Sequence, residues 1–575
     1  MKTNYRYTTL ILLVCLPIFS LSQIALTKHN LSAGSGNTIK ASTENEVCIF
    51  CHTPHNSTTA QPLWNRSAPT TTYTLYTSST LNATLGQPDG TSAMCLSCHD
   101  GLVALGNVVS RSTPISFGAS STIPAGNTNL STNLSDDHPI SFVYSSALAA
   151  TAGQLKDPTA ITHPVNLDKN NKMQCTSCHD AHDNSNGKFL LRTTQGSALC
   201  FSCHDRDYWS TSSHSTSTKT WNSSGTNPWP HSSYTTVAQN ACESCHQPHT
   251  AGGASRILNY QNEEENCMNC HNGNVAAKDV KADFLKTYRH NVYNYNAVHD
   301  PTEPASVTST HVECQDCHNP HATNSNTATA PNIKGSMAGV RGVDINGAEV
   351  NPASFEYEVC FRCHADNRAM PRYITRYRGI GNTRYDFTST NVSYHPVAAV
   401  GKNTSMTTLA SPYTASSQIY CSSCHASDNN SNSGPHGSSN VGLLKNTYDT
   451  TKAPYFGAGW NSTTLYNHYT LCFECHTLST TTTMHSNIAG GHFFKYIGCS
   501  TCHDPHGYDG SLGTNGGNTA SAFEMLVNFD TTIIRPNANN GKLIDIPNRK
   551  CYMVCHEPNG TGTMYHVHLD NGSGF

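Results

Sequence analysis

Apolar positions along this chain seldom repeat at a helical or strand period. One continuous apolar run opens it, from Leu10 to Phe19, with Lys2 and Arg6 before it and Ser20-Leu21-Ser22 after it. Positive charge, a short apolar stretch and a small-x-small triplet are the parts of an export signal, which predicts cleavage between Ser22 and Gln23. The run is too short to cross a bilayer, which takes about 20 apolar residues, and no later stretch is long enough. Cys15 lies inside it behind the bulky Val14, so it is expected to leave with residues 1–22 rather than carry a lipid. A soluble export without a membrane span is the expectation.

Beyond that run, turn formers recur every few residues: Asn-Gly, Asp-Gly, Gly-Gly and Pro-rich stretches. The Ser/Thr/Asn-rich segments 107–135, 214–230 and 403–417 and the Gly/Asn-rich segment 511–519 read as loops. Asp283 to Tyr288 is one short helical candidate. The pattern predicts irregular coil and short helices with little strand.

Composition sharpens this. Hydrophobic residues are 36% and charged residues 13% of the chain, against about 45–50% and about 25% in ordinary domains. So little apolar area does not offset the entropy of ordering the backbone. The chain must order around something other than protein. A net charge of −4 leaves no general basic face for nucleic acid. The 32 histidines and 25 cysteines point instead to a metal ligated many times.

With Cys15 set aside, 24 cysteines remain and all fall in pairs. Eleven pairs are C-x-x-C-H: Cys48 and Cys51 before His52, Cys95 and Cys98 before His99, Cys175 and Cys178 before His179, Cys200 and Cys203 before His204, Cys242 and Cys245 before His246, Cys267 and Cys270 before His271, Cys314 and Cys317 before His318, Cys360 and Cys363 before His364, Cys421 and Cys424 before His425, Cys472 and Cys475 before His476, and Cys499 and Cys502 before His503. The twelfth places three residues between Cys551 and Cys555, with His556 following.

C-x-x-C-H is the haem c attachment pattern. Two thioethers form to vinyl groups on one side of the porphyrin, and two intervening residues let both sulfurs reach them from a single turn. The next residue then lies under the ring, where its imidazole binds iron as the proximal ligand. The competing readings are a disulfide framework or zinc sites. Disulfides would not require a histidine after every second cysteine, and zinc sites would not need export. At Cys551 the extra residue must bulge for both thioethers to form; a disulfide or a singly attached haem is the alternative there.

Two motif types alternate. In the first, another histidine follows three residues after the motif's own: His55, His182, His249, His321 and His506. The motif at Cys421 lacks it, and His436, in a Gly-Pro-His-Gly turn, is its nearest candidate. The second type has a large side chain after its first cysteine (Leu96, Phe201, Met268, Phe361, Phe473 or Tyr552), placed to pack on a porphyrin edge. The chain reads as six haem pairs, in approximate units 23–150, 151–225, 226–300, 301–395, 396–485 and 486–575.

The segments CIFCHTPH, CTSCHDAH, CESCHQPH, CQDCHNPH and CSTCHDPH, with HPI or HPV elsewhere, resemble the doubled C-x-x-C-H multihaem cytochromes of metal-respiring and sulfate-respiring bacteria. The resemblance covers nearly all of the chain past residue 22. It departs at Cys551 and at the missing third-position histidine after His425. It implies an electron carrier. Some relatives stack into extracellular filaments in which a histidine of one subunit ligates a haem of the next; His29 or His55 would serve that role here.

Twelve motif histidines leave 20 others, more than enough for twelve distal ligands. Two imidazoles give a low-potential iron, whereas an axial methionine raises the potential. The third-position set (His55, His182, His249, His321, His506, with His436) sits too close to its own haem to cross to the far face, so each is expected to serve a neighbouring haem. A second set is His138, His163 and His395, each held extended by a following proline, with His29, His290 and His492. His214, His231, His299, His311, His468, His485, His566 and His568 remain over. About 553 residues for twelve haems is about 46 each, so the haems should be closely packed and form the core of this multihaem cytochrome c.

With both axial positions filled, no iron is open to substrate, and the expected role is electron transfer without a catalytic site. Redox proteins or cytochromes would act as donors and acceptors, and extracellular metal oxide, partner cells or further copies of the chain are the other expected partners. The rival reading is a nitrite or hydroxylamine oxidoreductase with one open haem. No motif here has lysine in place of its histidine, which marks some such sites, and Cys551 is the first place to look. Haem c is attached after export, so the expected location is extracellular or cell-surface, with the periplasm as alternative.

Overall fold

A computed structural model describes residues 24–531 except 59–62, 119, 296–297, 308–310, 367–372, 377–381, 405, 431, 451–461, 481–497, 508–525 and 527, followed by the four strands 534–536, 544–545, 550–555 and 565–569. It divides into two units, one comprising 1–210, 214–221 and 226–266, the other 211–213, 222–225 and 267–575. The division between Asn266 and Cys267 falls inside the expected third haem-pair unit, 226–300.

Each C-x-x-C-H segment is one helical turn, because the histidine N–H bonds the first cysteine's carbonyl. Examples are His52 to Cys48 at 2.8 Å, His179 to Cys175 at 3.0 Å and His425 to Cys421 at 2.9 Å. In two second-type motifs the turn is the last of a longer helix, Gly90–His99 or Glu356–His364, the longest helices among the described residues. The helix expected over Asp283 to Tyr288 is cut short. Only Asp283–Leu285 is a 3-10 turn, and Tyr288–Arg289 already pairs as a strand with Gly437–Ser438. Asp283 is fully buried, and its carboxylate accepts from Lys286, Ser427 and Asn432 at 2.5–2.7 Å. That loop-to-loop anchor wins over helix propagation.

Strands are otherwise two-residue ladders, Phe142–Val143 with Lys172–Met173 and Gly342–Val343 with Glu349–Val350. The exception is an antiparallel sheet in which Lys550–Cys555 pairs with Tyr565–Leu569 on one side and with Ile534–Pro536 and Ile544–Asp545 on the other. The spacing at Cys551 predicts a bulged turn; the structure has a strand. Four residues of strand separate Cys551 from Cys555 by about 13 Å along the backbone.

Among the described residues, neither unit has a large apolar core. The first unit holds two small clusters, Phe142, Tyr144, Val165, Met173 and Cys203, and Tyr73, Leu96 and Leu134. The second unit's largest is Val343, Tyr357, Phe361, Ala365, Phe387 and Val397. Leu96, Met268 and Phe361, the large residues of three second-type motifs, are buried at the centre of such clusters, while Phe201 and Phe473 are half-buried.

Much of what is buried is polar and bonded to backbone. Arg66, 1% exposed, donates to the carbonyls of Leu105, Ser97 and Ala104 at 2.7–3.0 Å. Glu356 accepts from the Ser422 N–H and hydroxyl, both at 2.9 Å, and from Lys334 at 2.9 Å. Glu356→Ala takes the carboxylate away from a half-buried ammonium and a half-buried hydroxyl, leaving Lys334 and Ser422 only their mutual bond at 2.8 Å. We expect it to lower unfolding stability by about 2–4 kcal/mol, read as a lower denaturant midpoint at unchanged haem content.

Candidate metal centres

Five first-type turns are met by a returning segment in one repeated way. The carbonyl of the second cysteine accepts an N–H: Asn65 to Cys51, Leu191 to Cys178, Asn259 to Cys245 and Lys445 to Cys424 at 2.9 Å, and Asn528 to Cys502 at 2.8 Å. Two residues earlier in each segment stands a bulky side chain at positive φ: Leu63, Phe189, Ile257, Leu443 and Leu526, with φ from 47° to 62°. Such a residue costs about 1–3 kcal/mol and persists only when its surroundings hold it.

What it achieves is visible one residue before. The carbonyls of Lys188, Arg256 and Gly442 are turned onto Nδ1 of His179, His246 and His425 at 3.0, 2.9 and 2.9 Å. Nδ1 of His318 and His99 meets the carbonyls of Ser336 and Thr128, both at 2.7 Å. A carbonyl only accepts, so Nδ1 carries the proton and the Nε2 lone pair is left to bind metal.

Opposite seven motif histidines stands a second imidazole. Ring centroids are 6.1 Å apart for His52 and His182, 6.2 Å for His99 and His29, 6.2 Å for His179 and His249, and 6.3 Å for His204 and His138 in the first unit. In the second unit they are 6.1 Å apart for His318 and His436, 5.9 Å for His364 and His290, and 6.0 Å for His425 and His506. His476 has His395 as its electrostatic neighbour. An imidazole nitrogen binds a first-row metal at about 2.0–2.1 Å. Two such bonds in line, with about 1.1 Å from each nitrogen to its ring centre, put the centroids about 6.3 Å apart. The residues fit a six-coordinate haem iron.

Burial favours the neutral form of several of these rings, which is the form that ligates. Desolvation pushes His204 and His436 down to about 3, and His364 and His476 to about 4. It lowers His138, His290 and His395 despite carbonyl bonds to their Nδ1.

The second imidazoles come in couples. His29 Nδ1 meets the carbonyl of Ala181, next to His182, at 3.1 Å. His290 Nδ1 meets the carbonyl of Pro435, next to His436, at 2.8 Å. His395 Nδ1 meets the carbonyl of Pro505, next to His506. The fourth couple varies the theme: the His138 N–H donates to Pro248 at 2.8 Å, and His249 Nδ1 meets the Asp137 carboxylate at 3.0 Å. Each couple joins a third-position histidine to one of the second set and faces both histidines of the preceding motif pair. The ladder of Tyr288–Arg289 on Gly437–Ser438 builds one couple. It needs glycine at 437, where a Cβ would lie 1.9 Å from the Asp283 carbonyl oxygen.

Successive turns also meet at their cysteines. Cys95 and Cys175, Cys200 and Cys242, and Cys360 and Cys421 are in hydrogen-bonding contact as thiols, standing where thioether sulfurs would be. A buried side chain just ahead of the second-type motif locks each junction: Ser92 accepts from the Cys175 N–H at 3.1 Å and Ser197 from Cys242 at 2.8 Å. Glu356 does so for Ser422. The described cysteines are all free of disulfides.

Of the expected distal histidines, His29, His138, His182, His249, His290, His395, His436 and His506 thus face a motif histidine. His55 and His163 are exposed and face none. His321 lies half-buried in the loop after Cys314–Cys317, its N–H donating to Asn319. His246, His271 and His503 occupy their turns. His492 and His556 lie outside the described residues, and the side chains of Cys551 and Cys555 are likewise not described. Sequence reasoning missed Asp137 and the carbonyl before each third-position histidine. The recurrent Pro-His in CHQPH, GPHG and CHDPH was the signal, since proline leaves a carbonyl with no N–H of its own to compete.

Two family models match. Residues 168–208 match the doubled CXXCH motif, and residues 234–393 match the outer membrane cytochrome MtrC/MtrF-like model, domains II/IV. A stretch of 207 residues is 28% identical to the multiheme cytochrome MtrA of Shewanella baltica (strain OS185), covering 34% of this chain and 43% of that protein. This chain therefore spans less than half the length of that relative.

Proposed function

We propose that the chain is a multihaem c-type cytochrome that carries electrons along about twelve mainly bis-histidine haems to an acceptor outside the cell, a reading its matches to cytochrome family models and to a multihaem cytochrome support. The observation that carries the reading is the set of seven imidazole pairs at 5.9–6.3 Å. Covalently attached haem c, when bound, supplies reversible one-electron chemistry at low potential under two imidazoles. The chain does the rest. Cys48 and Cys51 through Cys499 and Cys502 attach eleven haems, and His52 through His503 ligate them from the near side. His182, His29, His249, His138, His436, His290, His506 and His395 ligate from the far side, in couples offset by one pair. Junction residues such as Ser92, Ser197 and Glu356 hold successive attachment turns together, which crowds the cofactors into a row. A twelfth haem at Cys551, Cys555 and His556 takes the strand 550–555 out of its ladder.

Carbon monoxide added to the reduced protein tests this reading against the oxidoreductase alternative. Filled axial positions leave the spectrum unchanged; a shift in a subset of haems would favour a nitrite- or hydroxylamine-type enzyme. Peptide mapping of Cys551 to Cys555 decides the twelfth attachment.

Similarity to outer membrane cytochrome domains supports a cell-surface or extracellular location, and no described helix is long and apolar enough to cross a membrane. Donors and acceptors would be other redox proteins or cytochromes, with extracellular metal oxide as a terminal acceptor. The offset of the couples also bears on self-assembly. His29 faces His99 within the chain. His55 is exposed and faces no motif histidine among the described residues. A filament in which His55 ligates a haem of the next copy follows. His55→Ala should abolish long assemblies in electron micrographs while leaving the subunit's haem content intact; unchanged filaments would exclude this role.

A further inference from the structure

We propose that His299, Glu313 and Asp316 bind one divalent cation of the zinc type, beside the two C-x-x-C-H turns that begin at Cys314 and Cys360. None of these three side chains belongs to the haem ligands assigned above. All are buried, at 7%, 4% and 5% exposure, and one donor atom from each lies within 4.8 Å of the others. His299 Nδ1 is 3.4 Å from Asp316 Oδ1 and 3.7 Å from Glu313 Oε2. Neither is the length of a charge-assisted hydrogen bond, about 2.7–2.9 Å. Both approach the spacing of donors around a tetrahedral ion bonded at about 2.0–2.2 Å, which is about 3.3–3.6 Å.

The surroundings aim these donors. Asp316 Oδ2 accepts from the Glu313 N–H at 2.8 Å, which turns Oδ1 inward. Arg362 Nη1 lies 3.3 Å from that Oδ1, and its Nη2 lies 2.6 Å from Glu303 Oε1. The other oxygen of Glu303 meets His311 Nε2 at 3.1 Å, and Glu303 Oε1 stands 3.7 Å from His299 Nδ1, in reach as a fourth ligand.

Charge points the same way. Glu303 and Asp316 meet the Arg362 guanidinium, and Glu313 stands beside His299, so three carboxylates gather here. Buried charge is costly unless compensated, and a divalent cation would offset carboxylate charge here. An imidazole donor selects a zinc-type ion over calcium, which takes oxygen ligands only. Asp316 and Arg362 are the third residues of their respective turns, so the ion would tie the two attachment turns of the fourth pair together.

Zinc is the probe. The full-length haem-loaded protein is stripped with a chelator, dialysed against zinc chloride and assayed for zinc and iron together. One zinc per twelve irons is expected, and Glu313→Gln or His299→Ala should weaken zinc binding at least tenfold at unchanged haem content. Should either variant fail to accumulate, the wild-type protein decides alone. Less than a tenth of an equivalent of zinc on it overturns the proposal.

Discussion

Exported in a host that cannot attach haem, the chain will not fold. Ordering costs about 1–2 kcal/mol of backbone entropy per residue, and the apolar groups available to offset it are few. Hydrophobic residues are 36% of the chain, and the described core is a scatter of clusters, the largest with six buried members. Five bulky residues at positive φ add to the cost. Disulfides do not substitute among the described cysteines. On the proposed reading, the remainder comes from the apolar surface of the attached porphyrins and from iron–imidazole bonds that would cross-link segments far apart in sequence. The expected result is a protease-sensitive chain with no near-ultraviolet circular dichroism and no cooperative thermal transition. A two-state melt of the haem-free chain would refute this.

The second large effect concerns the offset. His182→Gly is expected to convert one low-spin haem to high spin, and that haem is the one on His52, 130 positions back, not the one on His179 three positions back. The reason is geometric: the His182 ring stands 6.1 Å from that of His52, the two planes 16° apart, whereas His179 faces His249. Magnetic circular dichroism counts the high-spin irons. Assignment follows from removing one attachment site. In a Cys48→Ala, Cys51→Ala background, His182→Gly should produce no further high-spin signal. In a Cys175→Ala, Cys178→Ala background it should still produce one. The reverse outcome would place His182 on its own motif's haem. Gly437→Val should disturb two haems at once, since it forces apart the ladder that positions both His290 and His436.

The strand at Cys551 and the truncated helix at Asp283 show where local reading runs out. Asp283 to Tyr288 carries a reasonable helical pattern, but a buried carboxylate with three donors from residues as far as Asn432 overrides it. The left-handed Leu63, Phe189, Ile257, Leu443 and Leu526 have no sequence signature of that backbone, because bulky apolar residues ordinarily avoid it. The bond to the cysteine carbonyl two residues on, joined at Leu63, Phe189, Ile257 and Leu526 by a bond onto their own carbonyls from Thr53, Asp180, Gln247 and Asp504, holds them there. His163 looked as well placed as His138 and His395 by its following proline, yet it lies exposed. Proline stiffens the backbone before it and says nothing of what stands opposite.

The sequence by itself determined the coil-rich architecture and the motifs that point to haem c, since the chemistry of a thioether pair and its adjacent imidazole is satisfied within five consecutive residues. Tertiary structure alone decided which imidazole faces which. A far-side ligand must come from another segment, and its identity depends on which loop is docked by carbonyls such as those of Ala181, Pro435 and Pro505. The same holds for His299, Glu313 and Asp316, whose convergence depends on a fold that brings Arg362 and Glu303 against them.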